Sequence, residues 1–163
     1  MTIAIYLAVL AAPGAATELP LFDFKDVRAG EQVVPRAQFT GCEVGERGET
    51  SCITLNDTLA GGPANVVWTF VDDKLSRVYV SMKRDRYPEV ATAFAAKYGK
   101  PCDTRTETWQ NNAGATFQGA VTRWCFRTGK LELSQFGSKV TESRAVYVDE
   151  SNVVPDARPK VDF

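Results

Sequence analysis

The sequence contains no histidine. That absence excludes Ser-His-Asp and Cys-His catalysis, histidine-ligated zinc and the commonest proton shuttle at neutral pH. An excess of one charge is also missing, because 19 Lys and Arg face 20 Asp and Glu for a net charge of −1. DNA and RNA binding draws on a basic face, so nucleic acid is not an expected partner. No apolar run approaches the ~20 residues of a membrane-spanning helix. None of the four cysteines forms a Cys-x-x-Cys pair, the spacing that thiol redox centres and most zinc sites use.

What is present describes a globular chain. At about 100–200 residues per domain, 163 residues predict one domain. A chain of this size buries roughly two-thirds of its unfolded surface and so builds its own core. Its 44% hydrophobic and 24% charged residues fall outside the disordered range.

The first segment reads as an address. Ile3–Ala12 is an uncharged apolar run, Pro13 and Gly14 break it, and small residues follow. This is the layout of a secretory signal, with cleavage expected after Ala16, although no Lys or Arg precedes Ile3. The competing reading is an apolar first element of the mature domain. No cysteine sits just after the run, so a membrane anchor through lipid is not expected. The expected organisation is a signal peptide over 1–16, one domain over 17–150 and a loose tail over 151–163 that carries Pro155 and Pro159.

An even cysteine count in an exported chain predicts two disulfides. Asn111-Asn112-Ala113-Gly114 is a strong turn signal, and a hairpin folding about Ala113–Gly114 sets Cys102 opposite Cys125. Gly45-Glu46-Arg47-Gly48 supplies a reversal between Cys42 and Cys52. The predicted pairs are therefore Cys42–Cys52 and Cys102–Cys125.

Tyr87, Val90, Ala91, Phe94 and Tyr98 recur at helical spacing and predict a helix over 86–98, stopped by Gly99 and Pro101. A shorter helix is expected over 31–38, with Pro35 tolerable only near its first turn. Strands are expected over 66–71, 75–82, 105–110, 116–126, 130–136 and 143–148. Trp68-Thr-Phe70 before Lys74-Leu75 echoes Trp124-Cys-Phe126 before Lys130-Leu131, which suggests repeats over 22–83 and 84–150. Chance is the competing reading, since aromatic-x-aromatic before a turn is common strand grammar. The expected class is α+β, an antiparallel sheet with one or two helices on one face.

Phe24-Lys-Asp-Val27-Arg-Ala-Gly30, Phe70-Val-Asp-Asp-Lys-Leu75, Tyr98-Gly99-Lys100-Pro101 and a closing tryptophan strand together resemble a group of small exported bacterial proteins. The layout is similar to the tandem fold of beta-lactamase inhibitory proteins and of the outer-membrane assembly lipoproteins BamE/SmpA. The resemblance spans roughly residues 22–150 through short motifs that mark turns. It implies a non-catalytic protein acting through protein contacts, and no contact residue carries over by position.

The remaining candidates weigh toward structure. Asp72-Asp73 reads as a solvated turn before a cation site, and Lys83-Arg84-Asp85-Arg86 as a charged linker before an anion grip. Ser81-Met82-Lys83 lacks the Ser-x-x-Lys spacing of an acylase. Asn56-Asp57-Thr58 matches a glycosylation acceptor in form only. Trp68 and Trp124 sit in alternating apolar strands and are expected in the core. Trp109, Asn111, Asn112 and Phe117 gather near a hairpin tip, where they suggest a contact patch beside the plainer reading of cross-strand packing. The expected function is an exported, periplasmic or secreted binding module for an envelope protein, with no cofactor, no metal and no catalytic residue. A small envelope hydrolase using carboxylates is the alternative.

Overall fold

The computed structural model describes residues 18–110 and 113–152. Two short strands, β1 (Asp23–Phe24) and β2 (Val27–Arg28), and a single turn of helix, α1 (Pro35–Gln38), precede the sheet. Four strands follow: β3 (Cys42–Val44), β4 (Thr50–Leu59), β5 (Gly62–Val71) and β6 (Lys74–Lys83). A 3-10 turn (Arg84–Arg86) leads into α2 (Tyr87–Tyr98). The last four strands are β7 (Asp103–Gln110), β8 (Thr116–Cys125), β9 (Gly129–Ser134) and β10 (Glu142–Asp149).

All eight long-sheet strands pair antiparallel in the order β3-β4-β5-β6-β10-β9-β8-β7. Two four-stranded meanders therefore meet at their last strands, β6 against β10. The α+β expectation is corrected here: the described chain is mostly β, with one helix of any length and no layer of helices. Pro35 explains the first shortfall. It occupies the first helical turn, where its missing N–H costs nothing, so the expected helix over 31–38 shrinks to Pro35–Gln38. The two echoing hairpins do not take equivalent places in the two meanders. Trp68 lies on the third strand of the first meander and Trp124 on the second strand of the other.

The largest unexpected element is β4. Its sequence is polar, and Asn56 adopts φ 54° at a bulge between Thr54 and Asp57, which breaks the alternation a strand signal needs. Asp72 and Asp73, at φ 50° and 58°, form the two-residue turn between β5 and β6. Asp73 also accepts a hydrogen bond at its carbonyl from Val33 N–H at 2.7 Å.

One face of the sheet is covered by α2 and by residues 22–39. Phe94 of α2 meets Trp124 edge-on at 5.7 Å, and Trp68 is flanked by Phe24 at 5.4 Å and Phe39 at 5.0 Å. Phe22 stacks on Tyr147 at 3.7 Å and meets Phe126 edge-on at 5.2 Å. Such pairs contribute about 0.5–1.5 kcal/mol each beyond the area they bury. Trp68 and Trp124 are core residues, and the Trp124 indole N–H donates to the Gly99 carbonyl at 2.9 Å. Gly99, at φ 80°, closes α2, a backbone region open mainly to glycine.

The disulfides are Cys42–Cys52 and Cys102–Cys125, and no cysteine is free. Cys42 and Cys52 stand directly opposite each other in the β3–β4 ladder. The second hairpin differs by one residue from its expected register. Asp103 faces Arg123 and Gln110 faces Thr116, so five residues form the loop and Cys125 closes its bond from just outside the ladder. Of the tail expected to be loose, Asn152 donates its side-chain amide to the Val71 carbonyl at 3.2 Å and Ser151 N–H donates to Asp149 at 2.9 Å. The expected signal peptide and the tail beyond Asn152 lie outside the described residues.

Candidate functional site

Strand alternation sends every second side chain to the face opposite α2. There Val67, Thr69, Tyr79, Ser81, Val146 and Val148 are half-buried, and Ile53 is exposed. Toward β7 this helix-free face carries a small core of its own. Val121, Ser134 and Phe136 are buried at 0%, 1% and 4% exposure, apart from the main cluster around Trp68.

Glycine and serine make room for it. A Cβ on Gly119 would stand 2.5 Å from Phe136 Cδ2, so only glycine lets the Phe136 ring lie on β8. Phe136 then meets Trp109 at 6.2 Å and Phe117 at 6.0 Å, both edge-on. Trp109 and Phe117 face each other in the β7–β8 ladder. Arg144 of β10 pairs with the short Ser134 of β9 and lays its guanidinium 5.5 Å from the Trp109 ring centroid. Arg84 holds its guanidinium carbon 6.0 Å from the Phe136 ring centroid. The Trp109 indole N–H is buried without an acceptor among the described residues.

Beside this cluster lies a charged network. Arg105 bonds Glu107 at 2.7 Å, Asp103 at 3.0 Å and Glu132 at 3.1 Å, and Arg123 bonds Glu132 at 2.8 Å. Burial pushes the Glu132 carboxyl up, but the hydrogen bonds from Arg123 and Arg105 outweigh it and hold the group below the ordinary carboxylate range. The bonds to Glu107, Glu132 and Asp103 raise the Arg105 guanidinium above its usual value. Arg84 and Arg144, by contrast, have no carboxylate partner among the described residues.

Of the expected patch, the structure brings Trp109 and Phe117 together, while Asn111 and Asn112 lie outside the described residues. Phe136, Arg84 and Arg144 join it without a signal in the local sequence, since their approach depends on strand order. The run Lys83–Arg86 splits in use. Arg86 donates to the carbonyls of Leu59 at 3.0 Å and Ala60 at 2.7 Å, fixing the β4–β5 turn, while Arg84 faces the aromatic cluster. Asn56 is exposed at its bulge, and Asp57 is bonded to Lys25 at 2.6 Å. Among the described residues no group of three or more His, Cys, Asp or Glu is placed to hold a metal ion. A groove bordered by Asn65, Ser81, Lys83 and Glu142 encloses about 250 Å³, and open surface grooves beside Arg84 and Thr141 and beside Glu18 and Arg127 enclose about 450 and 380 Å³. Comparison with protein-family models, curated proteins and solved structures returned no match for the chain.

Proposed function

We propose that the chain is an exported, non-catalytic binding protein that docks an acidic segment of an envelope protein on its helix-free face. The carrying observation is the placement of Arg84 and Arg144. Both guanidinium groups rest on aromatic rings with no carboxylate partner among the described residues, while Arg105 and Arg123 on the same face are neutralised. A guanidinium held on a ring keeps donors of its planar fork for a carboxylate, although Arg84 gives one of them to the Val140 carbonyl at 3.3 Å. Trp and Arg, gathered around buried aromatic anchors, are the residue types on which binding energy concentrates.

Export is supported by the signal layout over 1–16 and by two closed disulfides, which fit an oxidising compartment. The resemblance to exported inhibitors and assembly factors favours the same class. The carboxylates Asp103, Glu107 and Glu132 are engaged by arginines, and Glu132 is held ionised, the opposite of what a general acid requires.

The test compares immobilised wild-type chain with Trp109→Ala and Arg144→Ala in capture from envelope extract. The expected result is one acidic partner held by the wild type and lost at least tenfold from both variants, each checked for folding by circular dichroism. Retention of the same proteins by all three, or turnover of a glycan or peptide panel, would overturn the reading.

A further inference from the structure

The sheet ends at β7, and its eight residues Asp103–Gln110 pair, among the described residues, with β8 alone. A sheet edge is a template for another strand, and folded proteins usually blunt it by shortness, proline or a bulge. The opposite edge, β3, has three residues and a disulfide to its neighbour. β7 contains neither Pro nor Gly and runs in unbroken register.

The direction of its backbone groups follows from its neighbour. Gln135 N–H donates to the Ala120 carbonyl at 2.9 Å, and Ala120 N–H donates to Gln135 Oε1 at 3.0 Å. The polar backbone of Ala120 therefore faces away from β7. Thr106 is its register partner, so this is a pair that exchanges no hydrogen bonds, and Thr106 turns its own N–H and C=O to the free edge. The alternation gives Thr104 and Thr108 the same orientation. All three threonines are exposed.

From this edge we infer that a second copy of the chain pairs antiparallel with β7 about a two-fold axis at Thr106. In that register Thr106 meets Thr106 of the second copy and Thr104 meets Thr108, so each outward N–H and C=O gains a partner. On the helix-free face Arg105 then stands opposite Glu107 of the second copy, twice by symmetry. Opposite charges directly across strands stabilise the pair and like charges destabilise it. Sliding to either adjacent register that keeps the threonine ladder sets Arg105 against Arg105 or Glu107 against Glu107. The charge order Asp-x-Arg-x-Glu is thus complementary to itself in the Thr106-centred register and repels in both neighbours. The association joins the two helix-free faces side by side. It is independent of the acidic partner proposed above.

Sedimentation equilibrium of the exported chain tests it over roughly 1 μM to 1 mM, the range in which small interfaces associate. The expected mass rises from monomer toward dimer. Thr106→Pro removes an outward N–H that the monomer does not use, a position where edge strands accept proline. That variant, and Glu107→Arg, which opposes two cations at both pairs, weaken association at least tenfold. Amide hydrogen exchange gives a readout free of substitutions: Thr104, Thr106 and Thr108 become protected only at high concentration, while Arg105 and Glu107, which face β8, are protected at both. A chain monomeric at the upper concentration overturns the inference. So does a dimer that neither substitution affects, or threonine amides that exchange equally fast at both concentrations.

Discussion

Arg144 and Trp109 touch although two strands separate them: the guanidinium carbon lies 5.5 Å from the indole centroid, across β9 and β8. Neighbouring strands stand about 4.8 Å apart, so β10 and β7 run some 14 Å apart, and the register sets Arg105, not Trp109, in line with Arg144. The contact exists because Ser134, between them, is short and lets the arginine lean over it. A cation held on an exposed ring contributes about 0.5–1 kcal/mol. Arg144→Ala is expected to cost that much in urea unfolding and to raise acrylamide quenching of Trp109. Trp68 and Trp124 are buried and serve as the internal reference. Unchanged quenching would show that the arginine does not shield the ring.

Gly119→Ala inserts a methyl group where Phe136 already lies, 2.5 Å from the new atom. Overpacking of this kind costs about 1–3 kcal/mol. The double variant Gly119→Ala with Phe136→Leu is expected to lose less stability than the two single effects added, since both act on one site. Strict additivity in urea titrations would place Phe136 elsewhere.

The two cystines span 10 and 23 residues of chain. Loop-closure entropy assigns about 3 kcal/mol to each, slightly more to the longer. Replacing Cys102 and Cys125 by Ser together is expected to lower stability by that amount, read from urea midpoints. Non-reducing peptide mapping of the wild type should recover Cys42 linked to Cys52; a link from Cys42 to Cys102 or Cys125 contradicts the hairpin geometry.

Glu132 makes acid stability informative. Its carboxyl is held below the ordinary range in the folded chain, against burial, by Arg123 and Arg105. The stabilisation is therefore present above the unfolded carboxylate value of about 4.3 and disappears as pH falls through the lower folded value. Glu132→Gln should be less stable than wild type at neutral pH, and the gap should close in acid. A gap that stays constant from neutral pH to about pH 2 would mean that the arginines do not favour the charged form.

Local sequence made α2 legible, because Tyr87, Val90, Phe94 and Tyr98 mark one stripe and Gly99 ends it. The two cystine pairs present in the structure are those that the turn positions indicate. β4 was hidden because its ten polar-rich residues take their order from the β5 ladder and slip at Asn56. The β7–β8 register could not be read because a five-residue loop and a four-residue loop share the same turn signal. In the patch, Trp109 and Phe117 were visible as neighbours across a hairpin. Arg144 and Phe136 reach them only through the order β10-β9-β8-β7, a non-local fact that no window of sequence contains.

The most direct test of the binding face is a titration of the isotopically labelled chain with a Glu- and Asp-rich peptide, followed by nuclear magnetic resonance. The expected result is a set of shifts centred on the Trp109 indole N–H and the side chains of Arg84 and Arg144, reduced at least tenfold in affinity by Arg144→Ala. Shifts confined to α2 and residues 22–39, or none at millimolar peptide, would contradict the assignment of function to the helix-free face.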